Sequence, residues 1–215
     1  ENSYVLCWAA KWMDSNEVMF DSMHRSSEAD MLKRIHVLLD ECDVVVHFNG
    51  QSFDIPTLNK EFIKIRLDPP SPYKQVDIMK VAKDKFRFTS NKMAFIAHFL
   101  GEAEKEDVAF QLWINCMAGK DDAWKEMQSY NMQDVVVLER IYYRFLPWIS
   151  RHPNVALYSE ARQCCPNCGS LSYQKRGFHY TSVSRFQRYK CNGCGNWFRD
   201  GINQMTQTKD MMRNV

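Results

Sequence analysis

Four cysteines near the carboxyl end of the chain are the residues with the clearest chemistry. They form two Cys-x-x-Cys pairs, Cys165–Cys168 and Cys191–Cys194, with 22 residues between the pairs. Each pair makes a tight turn that aims two thiolates at one point, and the intervening stretch is long enough for a hairpin that returns the second pair to the first. Four thiolates complete a closed tetrahedral shell. The spacing therefore predicts a structural Zn²⁺ site.

The other four cysteines leave alternatives to weigh. Cys7, Cys42 and Cys116 are scattered among apolar neighbours, which is typical of buried free thiols. Cys164 is adjacent to Cys165, but Cys165 has the better spacing to its pair and is the expected ligand. Two disulfides in an exported protein are the alternative to a metal site. In a reducing compartment, however, the clustering of these thiols favours metal.

No apolar run of the sequence approaches the roughly 20 residues that cross a bilayer. The first residues lack the basic-then-apolar order of a signal peptide. We therefore expect a cytoplasmic protein with no membrane partner, located in the host cytoplasm if the gene is viral.

The charge is distributed unevenly along the chain. The formal net charge is +2, but residues 151–215 contain ten basic and three acidic residues, which leaves 18 basic and 23 acidic residues in 1–150. A basic segment on an acidic body predicts a polyanionic partner for that segment, and a solvated basic surface is the alternative. Lys175, Arg176 and Arg188 alternate there with aromatic residues. This pattern suits phosphates and stacked bases, although so small a segment also needs aromatics for its core.

Two aspartates in the first 150 residues are candidates for a second site, distinct from the cysteine cluster. Asp54 follows the β-branched run Val44–Phe48 and opens a helical pattern, so it is expected at the carboxyl end of a strand, where α/β proteins place their sites. Tyr130 and Asp134 are four residues apart in a long helical pattern and share one face. Taken alone, Asp54 is equally a helix N-cap, and the other two are an ordinary hydrogen-bonding pair.

The elements that must position these residues follow from the hydrophobic pattern. Two apolar segments separated by Asp14-Ser15-Asn16 predict a hairpin, and Val44–Phe48 predicts a buried strand. Helical spacing predicts five helices, over Glu28–Cys42, Asp54–Leu67, Asp77–Phe86, Asn91–Leu100 and about Asp121–Phe145. This order predicts an α/β fold with central strands and flanking helices. We expect a domain over 1–150 and a small zinc ribbon with a basic surface and tail over 151–215.

Two spaced motifs resemble a known family. Asn49-x3-Phe53-Asp54 resembles the second motif of the DEDD exonucleases, and Tyr130-x3-Asp134 resembles the third motif of their tyrosine-containing branch. This is the DnaQ-like group of RNase H-like nucleases, which includes polymerase proofreading domains. The segments around Asp77, Asn91 and Trp124, and the CPxCG ribbon, are similar to small phage and bacterial members. The resemblance implies an RNase H-like mixed sheet flanked by helices and a 3′–5′ exonuclease, with DNA as the favoured substrate.

The resemblance also implies roles for these residues. Asp54 and Asp134 would bind two Mg²⁺ or Mn²⁺ ions that straddle the scissile phosphate. Tyr130 would orient the nucleophilic water, and Asn49 and Phe53 would shape the strand–helix corner and contact the terminal nucleotide. A replication or repair protein is a further expected partner.

One departure from the family keeps an alternative open. The family's first motif, Asp-x-Glu, supplies two further acidic residues on the first strand, and the sequence begins at Glu1. Either upstream residues supply that motif, or Glu1 is part of it, or the site is incomplete. The alternative to an exonuclease is a non-catalytic nucleic-acid-binding or replication-assembly protein on a degenerate nuclease fold. The presence of motifs two and three argues against it.

Overall fold

The structure is a computed structural model that describes residues 4–13, 15–102, 110–158, 163–205 and 212. Glu1, one candidate for the first motif, and Asp14 of the first predicted turn lie outside the described residues, as does most of the predicted tail. The chain divides into two compact units, residues 1–142 and 143–215. This division falls before position 150, where the sequence places the domain boundary.

The first unit contains two separate pairs of strands. Strand β1 (Cys7–Lys11) pairs antiparallel with β2 (Val18–Ser22), which confirms the predicted hairpin. Strand β3 (Val44–His47) pairs parallel with β4 (Lys74–Asp77). Within the described residues the two pairs form two two-stranded sheets. Strand β4 was not predicted, because its sequence KQVD has a single β-branched residue.

The described residues contain six α-helices. Their bounds are α1 Glu28–Glu41, α2 Asp54–Lys64, α3 Ile78–Lys85, α4 Met93–Leu100, α5 Gln111–Met117 and α6 Asp121–Phe145. The five predicted helices are confirmed, with ends that differ by up to three residues. Helix α5 was missed because its seven residues are too few to show a periodic pattern.

Two buried clusters hold the first unit together. The first lies between α1 and α2, where Met31, Leu32 and Phe62 are nearly inaccessible, and Trp8 of β1 packs against it. The Trp8 Nε1–H donates to the carbonyl of Met31 at 3.0 Å, which satisfies the indole's polar atom inside the core. The second cluster joins α5 to the start of α6 and includes Met127 at 1% exposure, with Tyr130 packed against it. The helix that carries Tyr130 and Asp134 is thus fixed by its own buried face.

The second unit contains a three-stranded antiparallel sheet, with one cysteine turn before its first strand and the other between its last two strands. After the end of α6, 3₁₀ turns cover Leu146–Trp148 and Val155–Leu157. The strands are β5 Tyr173–Tyr180, β6 Arg185–Cys191 and β7 Trp197–Arg199, with β6 in the centre. The chain is therefore the predicted mixed α/β protein with a small ribbon. Among the described helices, none is long and apolar enough to cross a membrane.

Candidate active site and metal centre

The four cysteines predicted as metal ligands converge in the second unit. The sulfurs of Cys165, Cys168, Cys191 and Cys194 all lie within 4.8 Å of one another. Cys165 Sγ is 3.7 Å from Cys194 Sγ, and Cys168 Sγ is 3.6 Å from Cys191 Sγ. A tetrahedral ion with Zn–S bonds of about 2.3 Å separates its sulfurs by about 3.8 Å. The donor set therefore fits one tetrahedral, thiophilic metal ion.

Two equivalent turns of the backbone build this cluster. The N–H of Cys165 donates to the carbonyl of Ser170, and the N–H of Cys191 donates to the carbonyl of Asn196, both at 2.9 Å. The glycines after the second cysteines, Gly169 and Gly195, have φ of 71° and 81°, which favours a residue without a side chain. Each Cys-x-x-Cys-Gly segment thus folds back on itself as its spacing indicates.

The thiols of the cluster differ in acidity. Burial opposes ionisation of Cys191, but N–H donors such as that of Cys194 outweigh it and lower its pKa to about 7. Burial raises the pKa of Cys165 to about 11. A cation at the centre would hold all four as thiolates. None of the eight cysteines, all of which lie in the described residues, forms a disulfide, and Cys164 is buried outside the quartet.

The first turn is anchored inside its own unit. Asn167 is 6% exposed, and its Nδ2–H group donates to the carbonyls of Leu146 and Ile149 at 3.0 and 3.2 Å. The Leu146 carbonyl, which lies in the 3₁₀ turn after α6, also accepts from the N–H of Ile149 at 3.3 Å. Sequence reasoning did not identify this contact, since the Cys-x-x-Cys spacing says nothing about the residue types between its cysteines.

The residues with the nuclease-like spacing meet in a cleft of the first unit. This cleft has a volume of about 720 Å³, and Phe53, Asp54, Tyr130 and Asp134 all line it. Asn49 is not among its lining residues and lies in the turn that precedes α2. The structure therefore brings together four of the five predicted residues, although positions 54 and 130 are far apart in sequence.

Helix α6 presents one stripe to the cleft. Its lining residues recur at the three- and four-residue spacing of one helical face and are Met127, Tyr130, Asn131, Asp134, Val135, Leu138, Glu139 and Tyr142. The ring of Tyr130 meets that of Trp113 edge-on, with 6.2 Å between centroids. This contact limits the positions that the Tyr130 hydroxyl can occupy.

Asp54 is the first residue of α2, and the N-cap is Phe53. The interpretation of Asp54 as a helix N-cap is therefore wrong, because a phenyl ring sits where the capping side chain would be. A carboxylate in the first turn of a helix is favoured by the helix dipole. Burial raises the pKa of the Asp54 carboxyl above its usual value, and the Asp77 carboxylate raises it further, while His47 acts in the opposite direction.

A second aspartate holds the corner that leads to Asp54. The Oδ1 atom of Asp77 accepts from the backbone N–H groups of Asn49, Met79 and Lys80 at 3.0, 3.1 and 3.4 Å. Asn49 has φ of 63°, a left-handed conformation that asparagine tolerates better than most residues. Asp77 is 6% exposed and pairs in register with His47, at the ends of β4 and β3. It ties the turn before α2 to the start of α3.

Sequence reasoning placed Asp77 in a helix and missed this role. The available signal was an aspartate just before a helical pattern, which is typical of an N-cap. Its buried Oδ2 has no hydrogen-bond partner among the described residues and lies 3.8 Å from His47 Nδ1. The Nδ1 atom already accepts from the N–H of Gly50 at 3.1 Å. Asp77 therefore carries part of the charge that surrounds Asp54.

The cleft is also bordered by two strand edges. Consecutive residues of β1 and of β3 line it, whereas the face of a strand would contribute alternate residues. Strand β1 uses its other edge for β2, and β3 uses its other edge for β4. Among the described residues these two edges have no strand partner, so backbone donors and acceptors face the cleft from two sides.

The predicted substrate-binding residues of the ribbon divide between two faces of its sheet. Arg188 and Arg176 share one face, where Arg188 Nε donates to the carbonyl of Arg176 at 2.9 Å. Lys175 pairs in register with Tyr189 and belongs to the opposite face. That face also holds the ring contacts of Tyr173, Tyr189 and Phe198, with centroids 5.3 to 5.5 Å apart. Those aromatics form the small core of the sheet.

The first unit is thus an α/β domain with a largely apolar cleft that contains Asp54, Asp134 and Glu139, and the second contains a four-cysteine ribbon. A sequence model of the family described as the RNase_H superfamily matches residues 2–146. The chain belongs to the RNase H superfamily. Its members are generally hydrolytic nucleases, so membership indicates a nuclease-type function and a nucleic acid substrate. A search of curated proteins finds no match.

Proposed function

We propose that the chain is a metal-dependent 3′–5′ exonuclease of the tyrosine-containing DEDD type, with DNA as its favoured substrate. The observation that carries the proposal is the shared cleft of Asp54, Tyr130 and Asp134. Asp54 lies at a strand–helix corner, and the other two residues lie on a helix more than seventy positions later. They line the same cleft because of the fold and not because they are neighbours in the sequence.

The cleft supplies oxygen ligands of the type that Mg²⁺ and Mn²⁺ prefer. The carboxylates of Asp54 and Asp134 would hold these ions, which supply an activated water and stabilise the leaving 3′ oxygen. The raised pKa of Asp54 means that its charged form lacks full compensation from the protein alone, which is the condition that a nearby cation relieves.

The remaining roles belong to groups of the chain itself. The Tyr130 hydroxyl would orient the attacking water, with its ring held against Trp113. Phe53 is 67% exposed at the cleft, so its ring is available to stack on a terminal base. Asn49, held by Asp77, would fix the corner. Lys175, Arg176 and Arg188 would bind the backbone of the strand, and one structural Zn²⁺ would hold the ribbon through its four cysteines.

The two unpaired strand edges support a further element of the proposal. A strand between β1 and β3 would satisfy their backbone groups, because neighbouring strands of a sheet lie about 4.8 Å apart. If that strand carries Asp-x-Glu, its carboxylates would reach the cleft beside Asp54 and Asp134. Upstream residues of a longer protein, or a segment that includes Glu1, would supply it.

One observation favours the second candidate, a non-catalytic nucleic-acid-binding or assembly protein. Across the part of the chain that the structure describes, the cysteine quartet is the only group of three or more metal-ligating side chains whose atoms converge. The third acidic residue of the cleft, Glu139, is paired with Lys11. Two carboxylates without further ligands would bind a divalent ion weakly.

A labelled-substrate assay separates the two candidates. The protein, with the Asp-x-Glu segment included, is incubated with Mn²⁺ and single-stranded DNA labelled at the 3′ or the 5′ end. We expect release of 3′-terminal mononucleotides. Loss of a residue that only supports a metal ligand typically lowers metal affinity or activity about 10–100-fold. Asp134→Ala removes a proposed direct ligand, so its rate of nucleotide release should fall at least about 100-fold.

The matched control is Asp122→Asn, which removes a carboxylate from the same helix. The Asp122 side chain is 97% exposed and pairs with Lys125, so activity should stay at the wild-type level. Equal release by wild type and Asp134→Ala would refute the assigned site. No release from a protein with an intact Asp-x-Glu would refute the enzyme and leave the binding protein.

A further inference from the structure

One face of the ribbon sheet carries almost all of its exposed charge. On β6 and β7 exposure alternates, so that Arg188, Lys190, Trp197 and Arg199 are exposed while Tyr189 and Phe198 are half-buried. The register pairs Lys190 with Trp197 and Arg188 with Arg199, which puts these four side chains on the same face. We call this surface the tryptophan face.

Strand β5 extends the tryptophan face. Gln174 pairs in register with Lys190, and Arg176 Nε donates to Gln174 Oε1 at 3.1 Å, so Arg176 lies on this face as well. The face therefore presents four cations from three adjacent strands. The acidic residue of the described segment 163–205, Asp200, contacts the Tyr189 hydroxyl at 3.4 Å and so belongs to the opposite face. Within the described segment 163–205, the tryptophan face therefore carries no carboxylate to compensate its cations.

An aromatic ring lies in the middle of these cations. Trp197 is 50% exposed, with the Arg188 guanidinium 4.9 Å and the Lys190 ammonium 5.7 Å from its ring centroid. A buried tryptophan would serve the core, but Tyr173, Tyr189 and Phe198 already fill that role on the other face. An exposed indole flanked by cations offers a flat apolar surface next to phosphate-binding groups. That combination matches a nucleotide in an unpaired strand, with a base to stack and a phosphate on each side.

We propose that the tryptophan face binds single-stranded nucleic acid, with one unpaired base stacked on Trp197 and the flanking phosphates held by Arg176, Arg188, Lys190 and Arg199. The inference rests on the proposed function in that the strand it holds is the substrate of the cleft. It adds the strandedness of the substrate and a base-stacking residue that the sequence spacing did not indicate. A duplex keeps its bases stacked inside, so it cannot offer one to an indole without unpairing.

Direct binding tests the inference separately from catalysis. Fluorescence anisotropy follows a labelled oligothymidine with the full chain in buffer without added Mg²⁺ or Mn²⁺. Loss of one base–aromatic stack typically weakens binding about 5- to 150-fold, so Trp197→Ala should fall in that range, with Trp197→Phe between it and wild type. The control is Tyr180→Ala. Tyr180 is 66% exposed and pairs in register with Arg185 on the opposite face, so the Tyr180→Ala protein should bind the oligothymidine as tightly as wild type.

The salt dependence tests the cations. Each phosphate contact contributes about −0.7 to the slope of log K against log salt for a single strand, so Arg188→Gln should reduce the slope by about 0.7. A zinc content of one ion per chain in each variant shows that the ribbon is folded. If Trp197→Ala binds as tightly as wild type, or if a blunt duplex of equal length binds as tightly as the single strand, the inference is overturned.

The outcomes for the two proposals are distinguishable. Trp197-dependent binding by a protein that releases no nucleotides would leave the inference intact and refute the exonuclease. Nucleotide release that is unaffected by Trp197→Ala, together with unchanged binding, would support the exonuclease and refute the tryptophan face.

Discussion

Loss of the metal should unfold the ribbon while the first unit keeps its structure. In the described segment 163–205 the buried residues are Cys164, Cys165, Asn167, Cys191 and Asn196, so the small interior consists of two of the four clustered cysteines and three residues close to them in the chain. The aromatic rings of Tyr173, Tyr189 and Phe198 are half-buried, and their burial stabilises the ribbon by on the order of 3–5 kcal/mol. A structural zinc ion in a small module contributes about 10–16 kcal/mol at neutral pH, so the metal provides the larger stabilisation.

Two variants make this prediction specific. In Cys191→Ser we expect the zinc content to fall from one ion per chain to nearly none, because Cys191 Sγ lies 3.6 Å from Cys168 Sγ inside the quartet. Cys164→Ser changes a neighbouring buried thiol that lies outside the quartet, so that variant should keep one ion per chain. Atomic emission spectroscopy of the purified proteins measures both contents.

Limited proteolysis gives the structural readout. The ribbon strands contain Lys and Arg residues that trypsin should cleave rapidly in Cys191→Ser or after chelation, while residues 1–142 remain resistant. A ribbon that keeps its trypsin resistance without metal would refute the reasoning that the ion holds it together. A Cys164→Ser protein that loses zinc would refute the ligand assignment.

Three predictions concern the corner before α2. Gly50→Ala should lower the free energy of unfolding by about 1–3 kcal/mol in urea titrations, since its Cβ would lie 2.7 Å from His47 Cγ. Asp77→Ala should lower the free energy of unfolding by about 2 kcal/mol, because three N–H groups, including that of Asn49, lose their acceptor. Asp77→Asn keeps an oxygen acceptor, so its free energy of unfolding should stay close to that of wild type. Asp54→Asn should raise Tm at neutral pH without added metal. Because the pKa of Asp54 is raised in the folded state, ionisation of its carboxyl destabilises the folded protein as pH rises. The gain in Tm should therefore vanish below the unfolded pKa of 3.8. A gain in Tm at every pH would contradict this explanation.

The four-cysteine cluster was the part of the molecule most readable from the sequence. Its ligands lie within 30 residues of one another, and the glycine after each pair reports the left-handed backbone that the turn requires. Helices with a clear apolar stripe were also predictable, and α6 was placed at Asp121–Phe145 as observed. Local spacing carries this information because each feature depends on the chain only a few residues away.

The cleft was less readable because its geometry is nonlocal. The motif spacing identified Asp54, Tyr130 and Asp134, but nothing in the spacing placed Asp77 beside them. That position follows from the parallel pairing of β3 with β4, which aligns His47 with Asp77. The short strand β4 has too little β propensity to reveal this pairing. For the same reason the sequence could not assign Lys175 and Arg176 to opposite faces, which depends on the register of β5 with β6.

Under the proposed function, the uneven charge would give the two segments of the chain different roles in binding nucleic acid. The segment 1–150 has five more acidic than basic residues, so at long range it repels nucleic acid, and 151–215 has seven more basic than acidic residues. A cleft that needs carboxylates to hold its cations cannot also supply the positive field that captures a strand. In the proposal the ribbon would resolve this conflict through the four cations of the tryptophan face, which lie opposite Asp200. Salt should therefore weaken capture of the strand more than it slows turnover once the strand is bound, because screening acts on the exposed cations of the ribbon first.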